Sequence, residues 1–103
     1  MSKASIYVKV HAALQPERFK ILEFLRENPN THVSEIAKKM TLDRSKVAYH
    51  LGLLEDLDLV TSEYVILKEP HSMGKAGRTY RINEEEIAKI TKLVSERFSE
   101  FQP

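Results

Sequence analysis

Arg44, Ser45, Lys46 and Tyr49 bring two cations, a hydroxyl and a phenol into one short stretch. This set suits binding more than catalysis. Cations and hydroxyls bond to phosphate oxygens and base edges, and an aromatic ring can meet a thymine methyl. A helix has to present them. Turned at roughly 100° per residue, Val47, Leu51 and Leu54 fall on one stripe, with Ser45, Tyr49, Gly52 and Asp56 opposite and Lys46 on the flank. Asp43 stands where a side chain caps such a helix, and its carboxylate favours the positive end of the dipole, so the helix is predicted to start at Arg44. Upstream, Ser34 is placed to cap a first helix whose Ile36, Ala37 and Met40 share a face, and Thr41, Leu42 and Asp43 make the turn between the two helices. Two short amphipathic helices across a three-residue turn are the layout of a helix-turn-helix, whose second helix enters a major groove by its N-terminal turns.

The run resembles the winged helix-turn-helix of ArsR-type transcriptional regulators. Ser34-Glu35-Ile36-Ala37, Leu42, Val47, His50-Leu51, Leu54 and Leu59-Val60 occupy the matching places. Ala13-Leu14 with residues 16–22 and Leu25 is similar to the helix that precedes the motif in that family, and Gly77-Arg78-Thr79-Tyr80-Arg81-Ile82 to the second strand of its wing. The resemblance covers residues 12–83. Three positions depart from it. Thr41 replaces a turn glycine, Ala48 a common serine, and Asp58 the glycine that ends the recognition helix; aspartate tolerates a left-handed backbone better than most residues.

The remaining segments fit the same architecture, which is mainly α with a small β-hairpin. Ile6, Val8 and Val10 alternate as in a strand, whereas Ile6, Val10, Ala13 and Leu14 fit one helical face; the resemblance favours the helix. Pro16 suits a first helical turn, and Phe19, Ile21, Leu22 and Leu25 supply a buried face until Asn28-Pro29-Asn30 breaks the helix. Leu59 to Leu67 is rich in β-branched and aromatic residues and reads as a strand. Pro70, Gly74 and Gly77 mark a loop, and Arg78 to Ile82 returns as the partner strand, alternation sending Arg78 and Arg81 to opposite faces. Asn83 then caps a final helix with an acidic first turn.

A chain of 103 residues suits one domain, and the whole of 1–103 is read as a single winged helix-turn-helix with terminal helices for dimerisation. The last helix repeats Ile87, Ile90, Val94, Phe98 and Phe101 at three- and four-residue steps. It can close its own core, or pair with a second copy; Ile6, Val10, Ile87, Ile90, Val94 and Phe98 are the expected homodimer contacts, because so small a core has little room for them all.

The net charge of +1 argues against nucleic acid until its distribution is considered. Lys68, Lys75, Arg78 and Arg81 face Glu69 alone in the wing segment, while Glu84, Glu85, Glu86, Glu96 and Glu100 gather at the C-terminal end. Lys75 and Arg78 are therefore the candidates for the DNA backbone, against the plainer view that these charges only protect an exposed edge. With no cysteine there is no disulfide or thiolate metal site, and none of the four histidines pairs with another at helical ligand spacing. No Gly-rich phosphate loop, HExxH pair or GxSxG elbow is present. Neither enzyme activity, a metal nor a cofactor is expected. The expectation is a cytoplasmic protein without a membrane span that binds double-stranded DNA as a homodimer and regulates transcription. Its rival is a protein-docking module within a larger assembly, which has no need of a basic wing.

Overall fold

Ser5 starts the first helix: its hydroxyl accepts the Tyr7 N–H at 3.0 Å, and the ambiguous N-terminal run coils behind it as α1 (Ile6–Leu14). Strand-like alternation would have buried Val8 beside Ile6 and Val10, but Val8 is about half exposed. In the computed structural model, which describes residues 4–66 and 76–103, there follow α2 (Pro16–Glu27), β1 (Thr31–His32), α3 (Val33–Met40), α4 (Arg44–Asp56), β2 (Val60–Ile66), β3 (Ala76–Ile82) and α5 (Glu84–Ser99). Leu67, Lys68, Glu69, Pro70, Gly74 and Lys75, read as part of the wing and its loop, lie outside the described residues.

Local chemistry accounts for most of the boundaries. Gln15 caps α2 by accepting the Arg18 N–H at 2.9 Å, with Pro16 in the first turn where its missing N–H costs nothing. Asn83 caps α5 through the Glu86 N–H and ties that helix back by donating to the Asp58 carbonyl at 2.9 Å. Thr41 and Asp58, both at positions where the resemblance expects glycine, adopt left-handed backbone with φ of 56° and 62°. Two caps differ from expectation. Helix α3 starts one residue earlier than Ser34, which then lies inside the first turn and uses its hydroxyl to accept from Arg44 Nε at 3.0 Å. Asp43 does occupy the cap position of α4, but its side chain makes no capping bond.

The hairpin expected from sequence is part of a three-stranded antiparallel sheet of order β1-β3-β2. Strand β3 pairs along its length with β2, from Val60↔Ile82 to Ile66↔Ala76, and with the two-residue β1 through Thr31↔Tyr80. The core lies between the helices and this sheet. Ile21 and Leu25 of α2, Ile36 of α3, Val47, Leu51 and Leu54 of α4, and Leu59 and Val60 are fully buried. Each such side chain contributes roughly 1.5–3 kcal/mol of apolar burial, and together they clamp α4 by one stripe only. No helix among the described residues is long and apolar enough to cross a membrane.

Candidate nucleic-acid interface

Because α4 buries Val47, Leu51 and Leu54, its opposite side is left outside the protein, and Arg44, Ser45, Lys46 and Tyr49 are all exposed there. Tyr49 is 66% exposed, with its ring tilted against that of His50. The structure thus brings together the four helix residues singled out from sequence.

Behind them lies a polar network that periodicity did not reveal. His50, buried at the edge of α4, has Nε2 3.1 Å from Glu17 Oε1 and Nδ1 3.4 Å from Arg18 Nη1, while Arg18 Nε donates to the Ala12 carbonyl at 2.7 Å. An arginine beside Nδ1 can only donate, so the ring fits as the neutral tautomer that donates from Nε2 to the carboxylate. The bond from His50 holds the Glu17 carboxyl below the usual carboxylate range against the opposing effect of burial, with the Lys46 charge adding to it. Lys46 itself comes within 3.7 Å of Glu17. Helix α4 is therefore anchored to α2 by hydrogen bonds as well as by apolar packing, and Arg18 carries the network on to α1.

The wing cations divide. Lys75 lies outside the described residues. Arg78 projects toward α4, where Nη2 donates to both Glu55 oxygens at 3.0 and 3.1 Å and Nε donates to Ser62 Oγ at 2.8 Å. Arg81 is exposed on the other face of the sheet, as alternation requires, opposite Thr61. Glu55 and Ser62 were not anticipated as partners of Arg78. Their spacing along the chain, 23 and 16 residues, carries no periodic signal.

A second candidate surface lies where α1, α2 and α5 meet, around an apolar groove of about 310 Å³ lined by Val10, Leu14, Phe19, Leu22, Ile87 and Val94 among others. Of the six residues expected to meet a second copy, Ile90 is buried in the chain's own core, and Ile6, Val10, Ile87 and Val94 are half-buried against that core. Phe98 is 65% exposed, its ring 6.2 Å from that of Phe101. Tyr7, Val8 and Leu14 add exposed apolar surface on α1 that was not among the expected homodimer contacts. Beneath the face, Lys9 and Glu86 form an ion pair of 2.7 Å between α1 and α5, both side chains largely buried.

Comparison with known proteins places this geometry. Residues 15–62 match the family described as bacterial regulatory protein, arsR family. Over 78 residues the chain is 40% identical to an HTH-type transcriptional regulator of Methanocaldococcus jannaschii, itself described as uncharacterized, covering 75% of this chain and 76% of that one. A transcriptional regulator homologue from Pyrococcus horikoshii OT3 superposes with a TM-score of 0.66 at 21% identity, over 91% of this chain and 88% of the other. The transcriptional repressor CouR, in a structure bound to a 23-mer DNA duplex, superposes with a TM-score of 0.56 at 22% identity, over 91% of this chain and 70% of its own. These two structures share the winged-helix fold with this chain.

Proposed function

The chain belongs to the arsR family of regulatory proteins, and from that premise we propose that it is a sequence-specific binder of double-stranded DNA acting as a homodimer. The observation that carries this reading is the outward stripe at the start of α4. A helix clamped to the core by Val47, Leu51 and Leu54 offers Arg44, Ser45, Lys46 and Tyr49 to whatever approaches. Arginine and serine reach base edges and phosphates, and the tyrosine ring supplies an apolar contact for a thymine methyl. The wing lies beside this helix; of the two cations expected at the DNA backbone, Lys75 keeps that role, whereas Arg78 is held by both Glu55 oxygens and serves binding from that position. Helices α1 and α5 flank a single winged helix-turn-helix unit and pair with those of a second copy through Ile6, Val10, Ile87, Val94 and Phe98, with Ile90 supporting them from the core. A twofold dimer then sets two recognition helices about 34–36 Å apart, one turn of DNA. In this reading the protein works in the cytoplasm, without catalysis, metal or cofactor, and regulates transcription by occupying a promoter.

Selection of bound duplexes from a random pool at two salt concentrations tests the proposal. It predicts enrichment of a two-part site with half-sites one turn apart and affinity that falls as salt rises. Recovery of no preferred duplex at either salt concentration contradicts it and favours the protein-docking reading of the same fold.

A further inference from the structure

We infer that Glu55, in the last turn of α4, is a positioning residue for DNA binding, which sets the wing against the recognition helix by holding Arg78 and so withholds that arginine from phosphate. The inference rests on the DNA-binding reading above. Three elements meet at this point: Glu55 from α4, Ser62 from β2 and Arg78 from β3. They close a triangle, since the Ser62 hydroxyl donates to Glu55 Oε2 while Arg78 donates to both Ser62 and the carboxylate.

Two aromatic rings lie within cation–π distance of the guanidinium. Its carbon lies 5.4 Å from the centre of the Tyr64 ring and 5.7 Å from that of Tyr80. Tyr80 is itself buried in the core and anchors one side of this platform, while Tyr64 on the other side is 70% exposed. A planar, forked and stacked cation is what arginine supplies and lysine does not. The grip also falls where it has leverage. Arg78 pairs with Tyr64 only two residues before the hairpin leaves the described sheet at Ile66 and Ala76. A phosphate that claimed Arg78 would have to displace a carboxylate already held at high effective concentration by the same chain.

Fluorescence anisotropy on selected and random duplexes across a range of salt decides between holding and contacting. The variants are Glu55→Gln, Arg78→Ala, Arg78→Lys and the double variant Glu55→Gln with Arg78→Ala, each checked for folding by circular dichroism melts. If Glu55 positions the wing, each single variant weakens binding on the order of tenfold, equivalent to about 1.4 kcal/mol, and the double variant is no weaker than Arg78→Ala. The slope of log affinity against log salt stays at the parent's value, because no phosphate contact is lost. Tighter binding by Glu55→Gln overturns the inference, as does unchanged affinity in all variants. So does a slope reduced by roughly one per contact in Arg78→Ala with affinity kept in Arg78→Lys, which would make Arg78 a phosphate ligand and Glu55 its competitor. Arg78→Lys keeps charge and length, and decides the matter alone if another variant does not fold. A parent that binds no duplex removes the DNA-binding reading, and this inference with it.

Discussion

The α4 face and the α1/α5 face of this chain dispose of their apolar residues in opposite ways. Along α4 most point inward: Val47, Leu51 and Leu54 have no exposed surface, and what its first turns leave outside is polar or charged apart from Ala48 and the amphipathic ring of Tyr49, with Leu53 partly exposed further along. Along α1 and α5 they remain outside, with Tyr7, Val8, Leu14 and Phe98 each more than half exposed around a groove that is itself apolar. A polar stripe is stable in water and suits a polyanion, whereas a contiguous apolar face of this kind suits a protein partner or an apolar ligand. The ion pairs differ in burial: Lys9–Glu86 is buried between α1 and α5, whereas Lys46–Glu17 and Arg78–Glu55 at the polar face, and Lys89–Glu85 and Arg97–Glu100 along α5, are more exposed.

Breaking the buried pair should have the largest effect. Glu86→Ala leaves the Lys9 ammonium inside the protein without its carboxylate, and is expected to cost about 3–5 kcal/mol in urea unfolding, far more than the loss of an exposed pair. A cost below about 1 kcal/mol would place this pair in the exposed class and erase the contrast.

The apolar face can be tested separately from folding. Phe98→Glu should weaken self-association by at least about 2 kcal/mol in sedimentation equilibrium, as for an aromatic at the centre of an interface. Melting of the single chain should barely change, because Phe98 is mostly exposed there. Ile90 is the poorer probe: it is buried in the chain's own core, so a carboxylate at that position would damage folding and association together. Association unaltered by Phe98→Glu would mean that the outer end of α5 is not where two copies meet.

The smallest effect belongs to the part-buried network behind α4. The Glu17 carboxyl is held below its ordinary range by the bond from His50 and the charge of Lys46. Its stabilising contribution is complete above the unfolded carboxylate value of about 4.3 and is lost as pH falls through the lower folded value. Glu17→Gln should therefore flatten the fall in urea midpoint below about pH 4.3 and leave the midpoint's response to pH near neutrality unaltered. An equal fall in parent and variant would show that the network does not couple to folding.

The helices were legible because each carries its own signal over a few residues. The stripe of Val47, Leu51 and Leu54, the cap at Asn83 and the turn at Thr41 each depend on neighbours within one or two helical turns. The exposed stripe of α4 could be read for the same reason, since whatever is not on the buried side must face out. Strand β1 was missed because two residues hold no period, and its pairing is supplied by β3, far along the chain. The long-range partners of the carboxylates were missed for a related reason. Glu17 meets His50 across 33 residues, Glu86 meets Lys9 across 77, and only the packed fold brings them together. Ser34 shows the converse: its type was right for a cap, but the helix began two residues earlier than a cap at Ser34 requires, and the hydroxyl went to Arg44 instead.

The central claim is that the outward stripe of α4 reads DNA sequence, and fluorescence anisotropy of Tyr49→Ala on a selected duplex and on a random one tests it most directly. The account predicts that the variant, folded as judged by circular dichroism, loses about 1–3 kcal/mol of affinity for the selected site and much less for random DNA. Equal affinity of parent and variant for both duplexes, or an equal loss on both, would contradict it.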